Sequence, residues 1–231
     1  MFSRSKVRKY PDFCFGESIL EVTYEYLYLG IMFSYNCLFN KAIHKHITQA
    51  KRAMFALITK GRRLLLPLDV LFELFDKMIL PILTYGSEIY GINNLDKIEI
   101  FQRSFYKRIM KLSKSTPSAM IYGETGSHNI SITIEKKMIS YWLRLITGDP
   151  GKLNTLLYEY IYQMDCNNIY STLWISKLKS ILQKCGMFYI WVNQATITDV
   201  NIIKKLICKR IDDMWLQTWR ANLTTHIRCS V

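Results

Sequence analysis

From about Leu38 the apolar positions recur at three- and four-residue steps, and the polar positions fall between them. Ile43, Ile47, Ala50, Met54 and Leu57 line one side of a predicted helix, with Lys41, Lys45 and Arg52 on the other. A second helix is predicted from Asp69 to about Tyr85, with Asp69 as its N-cap. It is apolar on most sides and should be the central element. Pro81 inside it predicts a kink near Lys77–Leu80, because proline has no amide hydrogen and its ring crowds the carbonyl four residues back. A third helix, from Leu95 to about Lys114, sets Ile98, Phe101, Phe105, Ile109 and Leu112 against a stripe of Arg103, Lys107, Lys111 and Lys114.

Upstream, residues 12–33 follow a strand pattern. Phe13-Cys14-Phe15, Gly16-Glu17 and Ile19 to Val22 fit a short hairpin, and Tyr26 to Phe33 reads as a third strand interrupted by Gly30. Downstream, Ser115 to Asn129 is rich in Ser, Thr and Gly and reads as a connector. Helices follow over Thr133–Thr147, Lys152–Met164, Thr172–Cys185 and Thr198–Asn222. The predicted fold is mainly α, with a small N-terminal β-hairpin or three-strand remnant and a C-terminal helical region. Three segments result: 1–37, 38–114 and 115–231.

Composition adds a partner class. The net charge is +13, which points to a polyanion. Residues 1–37 are balanced, residues 38–114 carry 14 basic against 6 acidic side chains, and residues 115–231 carry 13 against 8. No Asp or Glu occurs between Tyr26 and Leu68, so the bases of the first helix have no acidic neighbour one turn away. Two such basic stripes on neighbouring helices would make a wall for a sugar–phosphate backbone. Gln102, beside Arg103, is either one more backbone contact or a solvated surface side chain.

Six dispersed cysteines, at 14, 37, 166, 185, 208 and 229, show no zinc-ligand spacing and are expected to be reduced and mostly buried. No apolar run approaches the ~18–20 residues a membrane span needs, and no secretory pattern opens the chain. The expected location is therefore intracellular, nucleus or cytoplasm, without secretion. Asp212-Asp213 lies in a helical window and reads as two exposed carboxylates. Tyr158, Tyr160, Tyr162, Trp174, Trp191, Trp215 and Trp219 recur at helical spacing and read as core.

Four blocks carry a family resemblance. Glu25-Tyr26-Leu27-Tyr28-Leu29-Gly30-Ile31-Met32-Phe33 resembles the strand that closes the palm of non-LTR retrotransposon reverse transcriptases. Ile82-Leu83-Thr84-Tyr85-Gly86-Ser87-Glu88-Ile89-Tyr90-Gly91 is similar to a block of that family's thumb. Thr116-Pro117-Ser118-Ala119-Met120-Ile121-Tyr122-Gly123-Glu124-Thr125-Gly126 is similar to its connector, and Ser140-Tyr141-Trp142-Leu143-Arg144-Leu145 to the continuation.

The resemblance implies palm-exit strands over 1–37, a thumb over 38–114 and a downstream region over 115–231. It implies a primer-grip remnant at Tyr28, Leu29 and Gly30, although the family commonly has Lys where this chain has Leu27. It implies template–primer binding, an RNA or RNA–DNA duplex held without sequence specificity, by Lys41, Lys45, Arg52, Arg103, Lys107, Lys111 and Lys114. The family's catalytic aspartates and their Mg belong to a palm turn that no block here matches. No catalytic residue, metal ligand or cofactor is therefore assigned to this chain, polymerisation by it alone is not expected, and a separate palm-containing polypeptide is an implied partner. The alternative is a helical protein-interaction piece, or an element remnant without selected function.

Overall fold

The computed structural model describes residues 13–92, 95–194, 197 and 199–228. The chain is mainly α, with two short antiparallel strand pairs before the helices. In the first pair, β1 (Cys14–Phe15) and β2 (Ser18–Ile19) flank the predicted Gly16-Glu17 turn. The second pair corrects the expectation of one interrupted strand. Residues 25–34 fold back on themselves as β3 (Glu25–Tyr28) and β4 (Ile31–Ser34), with Tyr28 opposite Ile31. The two turn residues, Leu29 and Gly30, both have positive φ, 46° and 83°, as a tight primed turn requires.

Helix α1 (Asn40–Arg63) buries the face its periodicity predicts, from Ala42 to Gly61. Helix α2 (Leu68–Leu74) starts after Pro67. It continues into a π-helical turn, Phe75–Ile79, and then α3 (Leu80–Leu83). The widened turn lies where the Pro81 ring would press on the Lys77 carbonyl, and it opens the helix to make room. Asp69 lies inside the first turn of α2 rather than at its cap. Gly86, at φ 69°, reverses the chain into the single turn of α4 (Ser87–Tyr90). A Cβ at Gly86 would lie 2.3 Å from the Ile31 side chain, so glycine is required for conformation and for space.

Helix α5 spans Asp96–Ile109 and stops short of the predicted Lys114. Lys111 adopts φ 54°, and the Leu112 amide bonds back to the Lys107 carbonyl at 2.9 Å, a Schellman-type closure built on lysine instead of glycine. The expected connector contains a helix, α6 (Ser118–Thr125). Beyond it come α7 (Ile130–Ile146), α8 (Leu153–Cys166), α9 (Leu173–Lys184), a short α10 (Phe188–Val192) and α11 (Val200–Arg228). The Thr172 hydroxyl caps α9 through the Ile175 amide, and the Asp199 carboxylate receives the Asn201 and Ile202 amides at the start of α11.

Two apolar clusters form the interior. One gathers α1 to α6 with the first turns of α7, centred on Phe75, Ile79, Ile98 and Phe105. The other gathers the rest of α7 with α8 to α11, centred on Trp142, Ile175, Leu178 and Leu182. Helix α7 contributes to both, Ile134 to the first and Met138 to the second. Every residue of β1, β2 and β3 is exposed, whereas β4 packs on the core beside α1 through the buried Ile31 and Ser34.

The thiols differ from expectation. Among the described residues all five cysteines are free, but Cys14, Cys37 and Cys166 are exposed and only Cys185 is buried. Cys229 lies outside the described residues.

Candidate nucleic-acid interface

Helices α1 and α5 pack side by side, and the Arg108 guanidinium stands 4.9 Å from the centroid of the Phe55 ring. At 100° per residue, Lys41, Lys45 and Arg52 share about 40° of the α1 circumference, opposite the buried face. Lys41 and Arg52 are exposed and Lys45 is half-buried. Lys41 pairs with Glu25 of β3, so the hairpin supplies the acid that α1 itself lacks.

On α5, Arg103 pairs with Glu99 at 3.6 Å, and the Lys107 ammonium donates to the Lys114 carbonyl at 2.5 Å. Lys111 and Lys114 are exposed but lie beyond the helix, so the expected four-base stripe is two helical bases plus two in the following turn. The chain thus offers a basic surface with several cations already engaged by neighbours.

Two residues of this surface escaped the sequence pattern. Lys51 is exposed one turn before Phe55, and Arg108 reaches across from α5. Phe55 itself was the available signal, an aromatic among the polar positions of α1 that is 50% exposed. Gln102 moves the other way. It is 3% exposed, donates to the His128 carbonyl and accepts from the Ile130 amide, both at 2.9 Å. It holds the α6–α7 junction and offers nothing to a sugar or phosphate.

Tyr28, Leu29 and Gly30 form the tip of the second hairpin. Tyr28 and Leu29 are 55% and 70% exposed. The tip is anchored by the block from Ile82 to Gly91. The Tyr85 hydroxyl donates to the Leu29 carbonyl at 2.8 Å, and its ring lies 3.3 Å from where a Cβ on Gly30 would stand. Two other side chains fasten the same block from below. Lys137 of α7 donates to the Thr84 carbonyl and hydroxyl at 2.9 and 2.8 Å, and Trp174 of α9 donates to the Glu88 carbonyl at 2.8 Å. Desolvation lowers the Lys137 pKa from its ordinary value. His46 of α1 stacks on Tyr90 with centroids 5.8 Å apart. Burial lowers its pKa as well, and among the described residues its Nε2 has no hydrogen-bond partner. The block is a structural junction.

The aromatics of the last third are largely packed, as expected. Trp142 stacks on Trp191 at 5.9 Å, and the Trp219 indole donates to the Ala119 carbonyl at 2.8 Å. Tyr160 is the exception, 60% exposed.

Among the described residues no three His, Cys, Asp or Glu side chains are grouped to hold a metal ion. Asp212 and Asp213 lie within α11, and both Asp212 oxygens accept from Lys136, at 2.6 and 2.7 Å. Among the described residues, no helix is long and apolar enough to cross a membrane.

A helical chain with a tyrosine-anchored hairpin tip beside a basic two-helix surface bears a reverse-transcriptase-like relationship to the polymerases of non-LTR mobile elements. The relative that shows it is the RNA-directed DNA polymerase from mobile element jockey of Drosophila funebris. The two are 30% identical over 111 residues, which cover 45% of this chain and 12% of that protein. No protein-family model and no solved structure matches the chain.

Proposed function

We propose that this chain is a thumb-like part of a non-LTR reverse transcriptase that binds template–primer nucleic acid, an RNA or RNA–DNA duplex, without reading its sequence. The observation that carries the proposal is the α1–α5 surface, where Arg52, Lys51, Arg108 and Lys111 are exposed on two adjoining helices and the turn that follows them. Phosphates are the natural targets of such a surface, and an A-like duplex is held through its backbone rather than its base edges. Lys41, Lys45, Arg103, Lys107 and Lys114 are proposed as further backbone contacts. The hairpin tip of Tyr28, Leu29 and Gly30 is proposed to face the primer end. Bond making is assigned to a palm-containing polypeptide that supplies the aspartates and Mg, and not to this chain.

Contact with about four to six phosphates gives a slope of roughly −3 to −5 for log affinity against log salt concentration. The triple substitution Lys51→Glu, Arg52→Glu and Lys111→Glu is expected to flatten that slope by about three and to remove binding at 0.1 M salt, with helicity unchanged. Wild-type binding that is absent at low salt, or independent of salt, would overturn the proposal.

The exposed first strands favour a second reading. Phe15, Ile19, Tyr26 and Leu29 are all at least half exposed on the hairpins, more apolar surface than an isolated chain leaves in water without consequence. In this reading the face packs against another polypeptide. Tyr26→Ser with Leu29→Ser would then break a complex seen by sedimentation, while competing duplex would leave that complex intact.

A further inference from the structure

We infer that the Phe55 ring is a stacking platform for one unpaired base, so that the α1–α5 seam takes a single-stranded stretch of nucleic acid. This rests on the polyanion reading above and adds a ligand form that the basic stripes alone do not specify. Single exposed aromatics are ordinary on protein surfaces, and exposure alone would mean little. Its placement sets Phe55 apart. On α1 it lies one turn after Lys51 and Arg52 and two turns before Arg62, all exposed, with no acidic residue anywhere on that helix. From the neighbouring helix the Arg108 guanidinium stands 4.9 Å from the ring centroid.

A duplex backbone presents phosphates and sugars, for which lysine and arginine suffice and a phenyl ring offers no partner. An unpaired base presents a π-face, and base–aromatic stacking tolerates any sequence because every base has one. Lys51 and Arg52 lie about one helical turn before the ring, about 5.4 Å along the axis, and Arg62 about two turns after it, so that cations flank the stacked nucleotide on both sides. The guanidinium packed on the ring limits its rotation and adds a planar cation beside the base. Ring and cations together make a groove for one strand.

The test uses the full chain with three probes: a twelve-nucleotide oligothymidylate, an abasic strand of the same length, and a blunt duplex. Affinities are read by fluorescence anisotropy across a salt series for the wild type, Phe55→Ala and Phe55→Leu. The wild type should bind the oligothymidylate more tightly than the abasic strand, and Phe55→Ala should weaken the former by roughly 5- to 100-fold. Binding of the abasic strand and the salt slope should not change. Phe55→Leu keeps the apolar bulk against α5 and should show the same loss, which separates stacking from packing. Equal affinity of wild type and Phe55→Ala for the oligothymidylate, or an equal loss on the abasic strand, overturns the inference. If the wild type still binds the duplex with a salt-dependent curve in that case, the proposed function stands and only the platform falls. If the wild type binds none of the three at low salt, both fall.

Discussion

Replacing Gln102 with Leu removes a side chain whose two ends are both committed. Nε2 donates to the His128 carbonyl and Oε1 accepts from the Ile130 amide, each at 2.9 Å. Ile130 is 1% exposed and its amide is among the first of α7, where no carbonyl of the same helix can receive it. Leucine fills a similar volume but satisfies neither group. Only the Ile130 amide is buried, since His128 is exposed, so its loss of a partner should cost about 1–3 kcal/mol against a total stability of about 5–15. With a urea m-value of about 3 kcal/mol/M the unfolding midpoint should fall by roughly 0.3–1 M, with m itself unchanged. Gln102→Glu keeps the acceptor for Ile130 and loses the donor to His128, and should fall between the two. Duplex affinity should not change in either variant, because the side chain does not reach the surface. A midpoint shift no larger than that of the exposed control Gln217→Leu would refute the clamp, and a selective loss of duplex affinity would return Gln102 to the interface.

Two further outcomes concern stability. Burial lowers the His46 pKa in the folded chain, whereas the unfolded chain takes up its proton near pH 6.5. Stability should therefore be constant above that value and fall as pH drops from about 6.5 toward the folded pKa, by at most about 1.4 kcal/mol per pH unit; His46→Phe should remove this dependence in urea titrations at pH 7 and 5. Asp165 is 6% exposed and pairs with Lys179 at 2.5 Å, so Lys179→Met leaves a buried carboxylate uncompensated and should approach a cost of about 3–5 kcal/mol. Adding Asp165→Asn to that variant should recover most of the loss in thermal or urea unfolding, and an unrecovered loss would show that the cost lies in packing.

Several elements were legible because their causes are local. The three- and four-residue recurrence from Ile43 to Leu57 gave the buried face of α1, since helical geometry alone brings those positions together. Pro81 announced the irregular turn before it, and Thr172 lies at the cap of α9. Where the causes are distant, local pattern failed. Helix α6 has no amphipathic contrast of its own. It is held in part by Trp219, one hundred residues downstream, whose indole bonds the Ala119 carbonyl. Gln102 read as a surface side chain because nothing near it in sequence shows that residues 128–130 fold over it.

Amino-acid order by itself determined a helical chain with a short hairpin in front, an excess of cations gathered on α1 and α5, and blocks like those of a non-LTR polymerase. These follow from side-chain periodicity, charge count and residue identity, which need no knowledge of neighbours. The tertiary structure alone decided that Glu25 of the hairpin engages Lys41 of α1. It also decided that Tyr85 holds the Leu29–Gly30 tip across fifty-six residues, and that Arg108 meets Phe55. Such pairings depend on how helices settle against a shared core, and the distances involved exceed anything that periodicity along the chain encodes.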